Sequence, residues 1–146
     1  LCFLLLNRLM DGLDGAVARQ TKATDFGGFI DILTDFIFYA GFAFFFAVGR
    51  PEFALPAAFL IFSFMATGTA FLAYAIIAAK QGENHARQGQ KSFFYLGGIV
   101  EGSETAFFLA AICLLPEAFP VLAWGFGSLC WLTCAGRFYQ AYRDFG

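Results

Sequence analysis

Four carboxylates stand in stretches that are otherwise apolar: Asp11 and Asp14, three residues apart, and Asp31 and Asp35, four apart. On helices, both spacings put the pair on one face. An ionised carboxylate at the middle of a membrane helix costs about 2.5–3.5 kcal/mol on insertion scales, so acids at such depth are functional by default. Four of them converging would repel one another unless cations lay between them. The chemistry predicted is therefore a divalent-metal site with Asp11, Asp14, Asp31 and Asp35 as ligands. Hard cations prefer oxygen donors, and Mg²⁺ tends to combine a few carboxylates with substrate phosphates.

Small residues surround the acids: Gly12, Gly15, Ala16, Ala18, Gly27 and Gly28. They leave room for a flat or phosphorylated ligand to approach the backbone, or for close helix packing of the small-xxx-small kind. Both readings stand for Gly12 and Gly28, while Gly15 and Ala18, as neighbours of the acids, favour the ligand. Arg19 ends the first stretch. It serves either as a cationic anchor and helix C-terminal cap or as a phosphate contact, for which a guanidinium fork is suited.

Composition dictates what must position these groups. Of 146 residues, 60% are hydrophobic and 14% charged, against about 25% charged in an average soluble domain. Twenty-two phenylalanines are too many to bury in a soluble core of this size. The expectation is an all-α integral membrane protein, a polytopic helix bundle forming one domain over residues 1–146. A net charge of −2 suggests neither a nucleic acid nor an acidic partner.

A span needs about 20 apolar residues. Such segments run from residue 1 to about Arg19, from Asp25 to about Val48, from Phe53 to about Ala79, from Ser92 to about Leu115 and from Phe119 to about Tyr139. The opening Leu1-Cys2-Phe3-Leu4-Leu5-Leu6 has neither the charged start nor the cleavage site of a signal peptide. It reads as the middle of a membrane helix, so an N-terminal truncation with a missing upstream helix is expected. Arg19, Lys22, Lys80, Arg87, Lys91, Arg137 and Arg143 fall on one side of the bundle and only Arg50 on the other. Short loops rich in Lys and Arg stay in the cytoplasm, so the turn at 20–24 and the acids flanking it face inward. Two antiparallel helices joined there would bring all four acids to one level, about 10–15 Å below the surface at 1.5 Å per residue.

The remaining polar residues are less specific. Cys2, Cys113, Cys130 and Cys134 lie in apolar stretches and, with His85 as the single histidine, form no zinc set; they read as free, buried thiols. Glu101 and Glu104 lie near the depth of the aspartates. Either Arg8 pairs with one of them, or they line a pocket for the second substrate. The basic groups from Lys80 to Lys91 contact anionic headgroups, with Lys91 or Arg137 as alternative phosphate ligands. Ser63, Thr67, Thr69 and Tyr74 read as packing hydroxyls, and Trp124, Trp131, Tyr139 and Tyr142 as interface aromatics.

The ordered set Asp11, Asp14-Gly15, Ala18-Arg19, seven residues, Gly27, Asp31, Asp35 resembles the signature of the CDP-alcohol phosphotransferase (CDP-alcohol phosphatidyltransferase) family, in a bacterial-type member. All eight fixed positions are filled, over 25 residues. The resemblance implies six transmembrane helices, of which this chain would hold about five and lack the first, and a homodimer. It also implies transfer of a phosphatidyl group from a CDP-linked lipid donor to a small alcohol with release of CMP, a step of phospholipid synthesis at the bacterial inner membrane. By position, Asp11, Asp14, Asp31 and Asp35 would hold two divalent ions, Mg²⁺ or Mn²⁺. Gly15, Ala18, Arg19 and Gly27 would bind the CDP moiety, and Asp35 would be the general base. The alternative is a divalent-cation transporter or channel, since intramembrane acids also mark ion paths. It leaves Arg19 and the small residues unexplained and predicts acids through the full membrane thickness.

Overall fold

The computed structural model describes residues 24–82 and 102–146. Every one of these except Thr24, Arg50, Leu115 and Gly146 is helical. Four helices result: α1 (Asp25–Gly49), α2 (Ala54–Gly82), α3 (Gly102–Leu114) and α4 (Phe119–Phe145). Three apolar stretches, Phe26–Gly49, Pro51–Gln81 and Pro116–Phe145, are long enough to cross a membrane. The chain is thus an all-α membrane bundle. The first expected segment lies outside the described residues, and of the fourth only Gly102–Leu114 is described.

Two proline turns close the same end of the bundle. Arg50 and Leu115 each precede a proline and are held out of the α region, at φ −137°, ψ 79° and φ −130°, ψ 64°, because the proline ring clashes with a preceding helical residue. Each turn then makes one short 3₁₀ stretch, Pro51–Phe53 or Pro116–Ala118, and enters the next helix. The backbone groups freed at these ends are satisfied locally. Arg50 N–H donates to Phe46 O and Leu115 N–H to Ala111 O, both at 2.9 Å. Arg50 also reaches Glu117 across the two turns at 2.6 Å.

Side-chain contacts define the topology. Tyr39 of α1 meets Phe64 of α2, and nearer the proline end Phe46 stacks on Phe53, so α1 and α2 form an antiparallel hairpin. From Phe59–Trp124 through Thr67–Arg137 to Tyr74–Asp144 the residue numbers of α2 and α4 rise together; these two helices are parallel. Packing without a hydrophobic driving force depends on close approach, and glycines provide it. A Cβ at Gly127 would lie 2.6 Å from the Phe59 ring, and one at Gly68 would overlap the Phe36 ring.

The core lies toward the proline end. Phe119 is fully buried, stacked 4.2 Å from Phe46 and 5.9 Å from Phe53. Phe108 of α3 stacks 4.1 Å from Phe126 of α4. Hydroxyls inside the helices bond back to their own turns, as Ser63 does to Phe59 O at 2.7 Å and Thr133 to Leu129 O at 3.0 Å. That removes a donor the bilayer cannot satisfy.

α4 runs six residues beyond the expected end at Tyr139. The polar residues of this extension bind it to α2. Tyr74 donates to Asp144 Oδ2 at 2.8 Å, Gln140 Nε2 donates to the Tyr74 hydroxyl at 3.4 Å, and the Phe145 ring lies 5.0 Å from Tyr74.

Candidate active site

α1 begins with a capped turn. Thr24 is extended (φ −103°, ψ 147°) and its Oγ1 accepts from Gly27 N–H at 3.1 Å, while Gly28 N–H bonds Thr24 O at 3.1 Å. This N-cap satisfies donors at the helix start and fixes where the acids fall. At ~1.5 Å per residue, Asp31 and Asp35 lie about 9 and 15 Å along the axis from Asp25. The helix is about 37 Å long by the same rise, longer than the ~30 Å hydrocarbon layer. Both acids therefore fall in the half of the span that begins at the capped end.

Asp31 is exposed and Asp35 half-buried. Four residues apart, they sit one above the other on one helix face. Higher on the same stripe are Tyr39, which is buried, and Phe42 and Phe46, which pack on the core. Thr34, between the two acids, turns its hydroxyl back to Ile30 O at 2.8 Å and Asp31 O at 3.1 Å. It is thereby consumed by the helix. Tyr39 donates to Asp35 Oδ2 at 3.2 Å.

Gly27 has a local reason to be glycine. A Cβ there would meet the Thr24 hydroxyl at 3.1 Å, crowding the cap, whereas nothing lies within 4 Å of a Cβ at Gly28. Among the described residues no helix packs on Gly28.

Of the expected site residues, Gly27, Asp31 and Asp35 are described; Asp11, Asp14, Gly15, Ala18 and Arg19 lie outside the described residues, as do Arg8, Lys91 and Glu101. Asp31 and Asp35 stand one turn apart on α1, and among the described residues no cluster of three or more ligating side chains forms. Their donor set fits a hard cation nonetheless: carboxylate oxygens only, on an accessible face, with no described cation paired to Asp31. Glu104 stands in the first turn of α3 as described and is exposed.

Arg137 lies in the half of α4 that carries Arg143, on the expected side, and is also bonded to a second helix. Its Nη1 donates to Thr67 O and Thr67 Oγ1, both at 2.9 Å, and its guanidinium lies 5.2 Å over the Phe71 ring. It straps α4 to α2 one turn from Gly68, where α1 touches α2. Seven residues separate it from Asp144 along α4, so it sits about 10 Å deeper in the bundle. Charge type alone could not distinguish an anchor from a strap. Cys113, Cys130 and Cys134 are free thiols, as expected, and Cys134 donates weakly to Ala66 O at 3.4 Å.

Tyr39 is the residue that motif spacing missed. The available signal was a tyrosine four residues after an intramembrane acid.

Residues 1–135 match the family model of CDP-alcohol phosphatidyltransferases. The chain is also 48% identical over 143 residues to the inner membrane protein YnjF of Escherichia coli (strain K12), covering 97% of this chain and 69% of that protein. No solved structure matches it.

Proposed function

Because the chain belongs to the CDP-alcohol phosphatidyltransferase family, we propose that it transfers a phosphatidyl group from a CDP-linked lipid donor to a small alcohol, releasing CMP. The observation that carries this reading is the complete eight-position motif, whose second half lies on α1 with Asp31 and Asp35 on one accessible face. The bilayer is the bacterial inner membrane, as the name of the E. coli relative states for that protein. The site faces the cytoplasm, since Lys80 and Arg143 end α2 and α4 at the end where α1 begins.

Asp11, Asp14, Asp31 and Asp35 would hold two divalent ions, Mg²⁺ or Mn²⁺, which when bound supply neutralisation of the diphosphate charge. Gly15, Ala18 and Gly27 keep the CDP moiety's approach clear of side chains, and Arg19 pairs with its phosphate. Asp35 accepts the proton of the acceptor hydroxyl. The hydroxyl oxygen then bonds to the lipid-side phosphorus, the pyrophosphate P–O bond breaks, and CMP leaves with the electron pair. A donor anchored by its acyl chains explains why the acids lie at the depth of the headgroups and just below. The protein works as a homodimer in this reading.

The test is CMP release by the purified protein with CDP-diacylglycerol, Mn²⁺ and a panel of serine, glycerol 3-phosphate, inositol 1-phosphate, choline, ethanolamine and glycerol. CMP appearing with one alcohol, and lost in Asp35→Asn, supports the reaction and names the acceptor. Cation flux in liposomes without nucleotide, with no CMP from any alcohol, would overturn it in favour of a transporter.

A further inference from the structure

Asp35 has a partner that the eight-position motif does not contain. The Tyr39 hydroxyl donates to Asp35 Oδ2 at 3.2 Å, and Tyr39 is only 8% exposed. Its ring is held by Phe64 of α2, centroids 6.0 Å apart, and by Phe38 at 6.1 Å in an edge-on contact. A long side chain on a helix leans toward the N-terminus, over the residue four earlier. A tyrosine at that spacing is therefore aimed at the carboxylate by the helix itself, and packing against α2 removes its freedom to turn elsewhere.

A carboxylate in a metal site must present particular lone pairs. Groups that hydrogen-bond a ligating side chain fix its orientation, and their loss typically costs about 10–100-fold in metal affinity or activity. At 3.2 Å the bond is long for an O–H···O contact, so it orients the carboxylate more than it binds it. Resting on the reading of Asp35 as a metal-binding general base, we infer that Tyr39 is a positioning residue for it. The phenol engages Oδ2 and sets the rotation of the carboxylate toward the cation and the acceptor hydroxyl. The Tyr39 hydroxyl thereby links the core of the bundle to the reacting group.

The experiment compares wild type, Tyr39→Phe, Phe64→Leu and Asp35→Asn in detergent. It measures Mn²⁺ binding directly by electron paramagnetic resonance, CMP release, and thermal stability. Tyr39→Phe keeps the ring and loses the hydroxyl; it is expected to weaken Mn²⁺ binding and lower kcat by about tenfold, with Tm and the KM for the alcohol little changed. Phe64→Leu trims the ring's support on α2 and keeps the hydroxyl, and is expected to lower Tm while weakening Mn²⁺ binding less than Tyr39→Phe does. Mn²⁺ affinity and kcat within about twofold of wild type in Tyr39→Phe, with Asp35→Asn inactive, would overturn the inference and leave the reaction standing. The same pattern of losses in Tyr39→Phe and Phe64→Leu would reduce Tyr39 to packing and overturn it too. A wild type that neither binds Mn²⁺ nor releases CMP would remove the Asp35 reading, and this inference with it.

Discussion

Along the first part of α1, Phe26, Phe29, Ile30, Asp31, Ile32, Leu33 and Thr34 are exposed, whereas further on Tyr39 and Ala43 are buried and Phe42 and Phe46 pack on the core. Both parts belong to one helix of similar composition. The neighbours differ. At the proline end, the turns at Pro51 and Pro116 bring α2 and the start of α4 against α1, and Phe46, Phe53 and Phe119 stack there. At the acid end, among the described residues, α1 presents its carboxylates on an uncovered face. The contrast teaches how a membrane helix can hold charged side chains in place: one part of a stiff element is clamped, and the other presents the acids at a depth the helix rise sets. Sites built on rigid elements are placed more accurately than sites on loops.

The contrast is sharpest in the variant expected to have the largest effect. Asp35→Asn should lower CMP release by about a thousandfold, within the 10²–10⁴ range for a general base, and leave Tm near wild type. A large fall in Tm would show that the acid end is part of the packing after all. Phe119→Ala should do the reverse. Removing a fully buried ring costs about 3 kcal/mol, seen as a lower Tm in a thermal-shift assay, while kcat in the surviving folded fraction holds.

Gly68→Val probes the junction. Its side chain would displace the Phe36 ring, next to Asp35, at a cost of about 1–3 kcal/mol for overpacking. Both Tm and CMP release should fall, and Phe36→Leu in the same chain should restore part of each. Stability lost with activity intact would show that the clamp does not position the acid. The smallest effect is expected for Arg50→Ala. The Arg50 and Glu117 side chains are 37% and 75% exposed, and exposed pairs contribute about 0–1 kcal/mol, so Tm should shift by no more than a few degrees and activity should hold.

Much of this was legible in the residues. Pro51 and Pro116 mark two helix starts, and the apolar runs give three spans within a few residues of the observed bounds. The apolar run of the last segment ends near Tyr139, and α4 continues six residues further through Gln140, Arg143 and Asp144. Two of them face Tyr74. Counting positive charges assigns Arg137 a side of the membrane, and says nothing of a guanidinium whose hydrogen bonds are supplied by Thr67 on another helix. At the site, the spacing of Asp31 and Asp35 predicts their shared face, because helical periodicity is local.

By itself, then, the sequence determined what local chemistry and periodicity control: a helical membrane bundle, its proline turns, the one-turn spacing of the acids, and a motif specific to one family. Tertiary structure alone decided which polar side chains join helices. It set Tyr74 against Asp144 and Arg137 against Thr67, and locked the Tyr39 ring beneath Asp35 by seating it on Phe64. Those outcomes depend on the register of α2 against α1 and α4. Gly68 and Gly127 help set that register through close approach, which no spacing along one strand of sequence encodes.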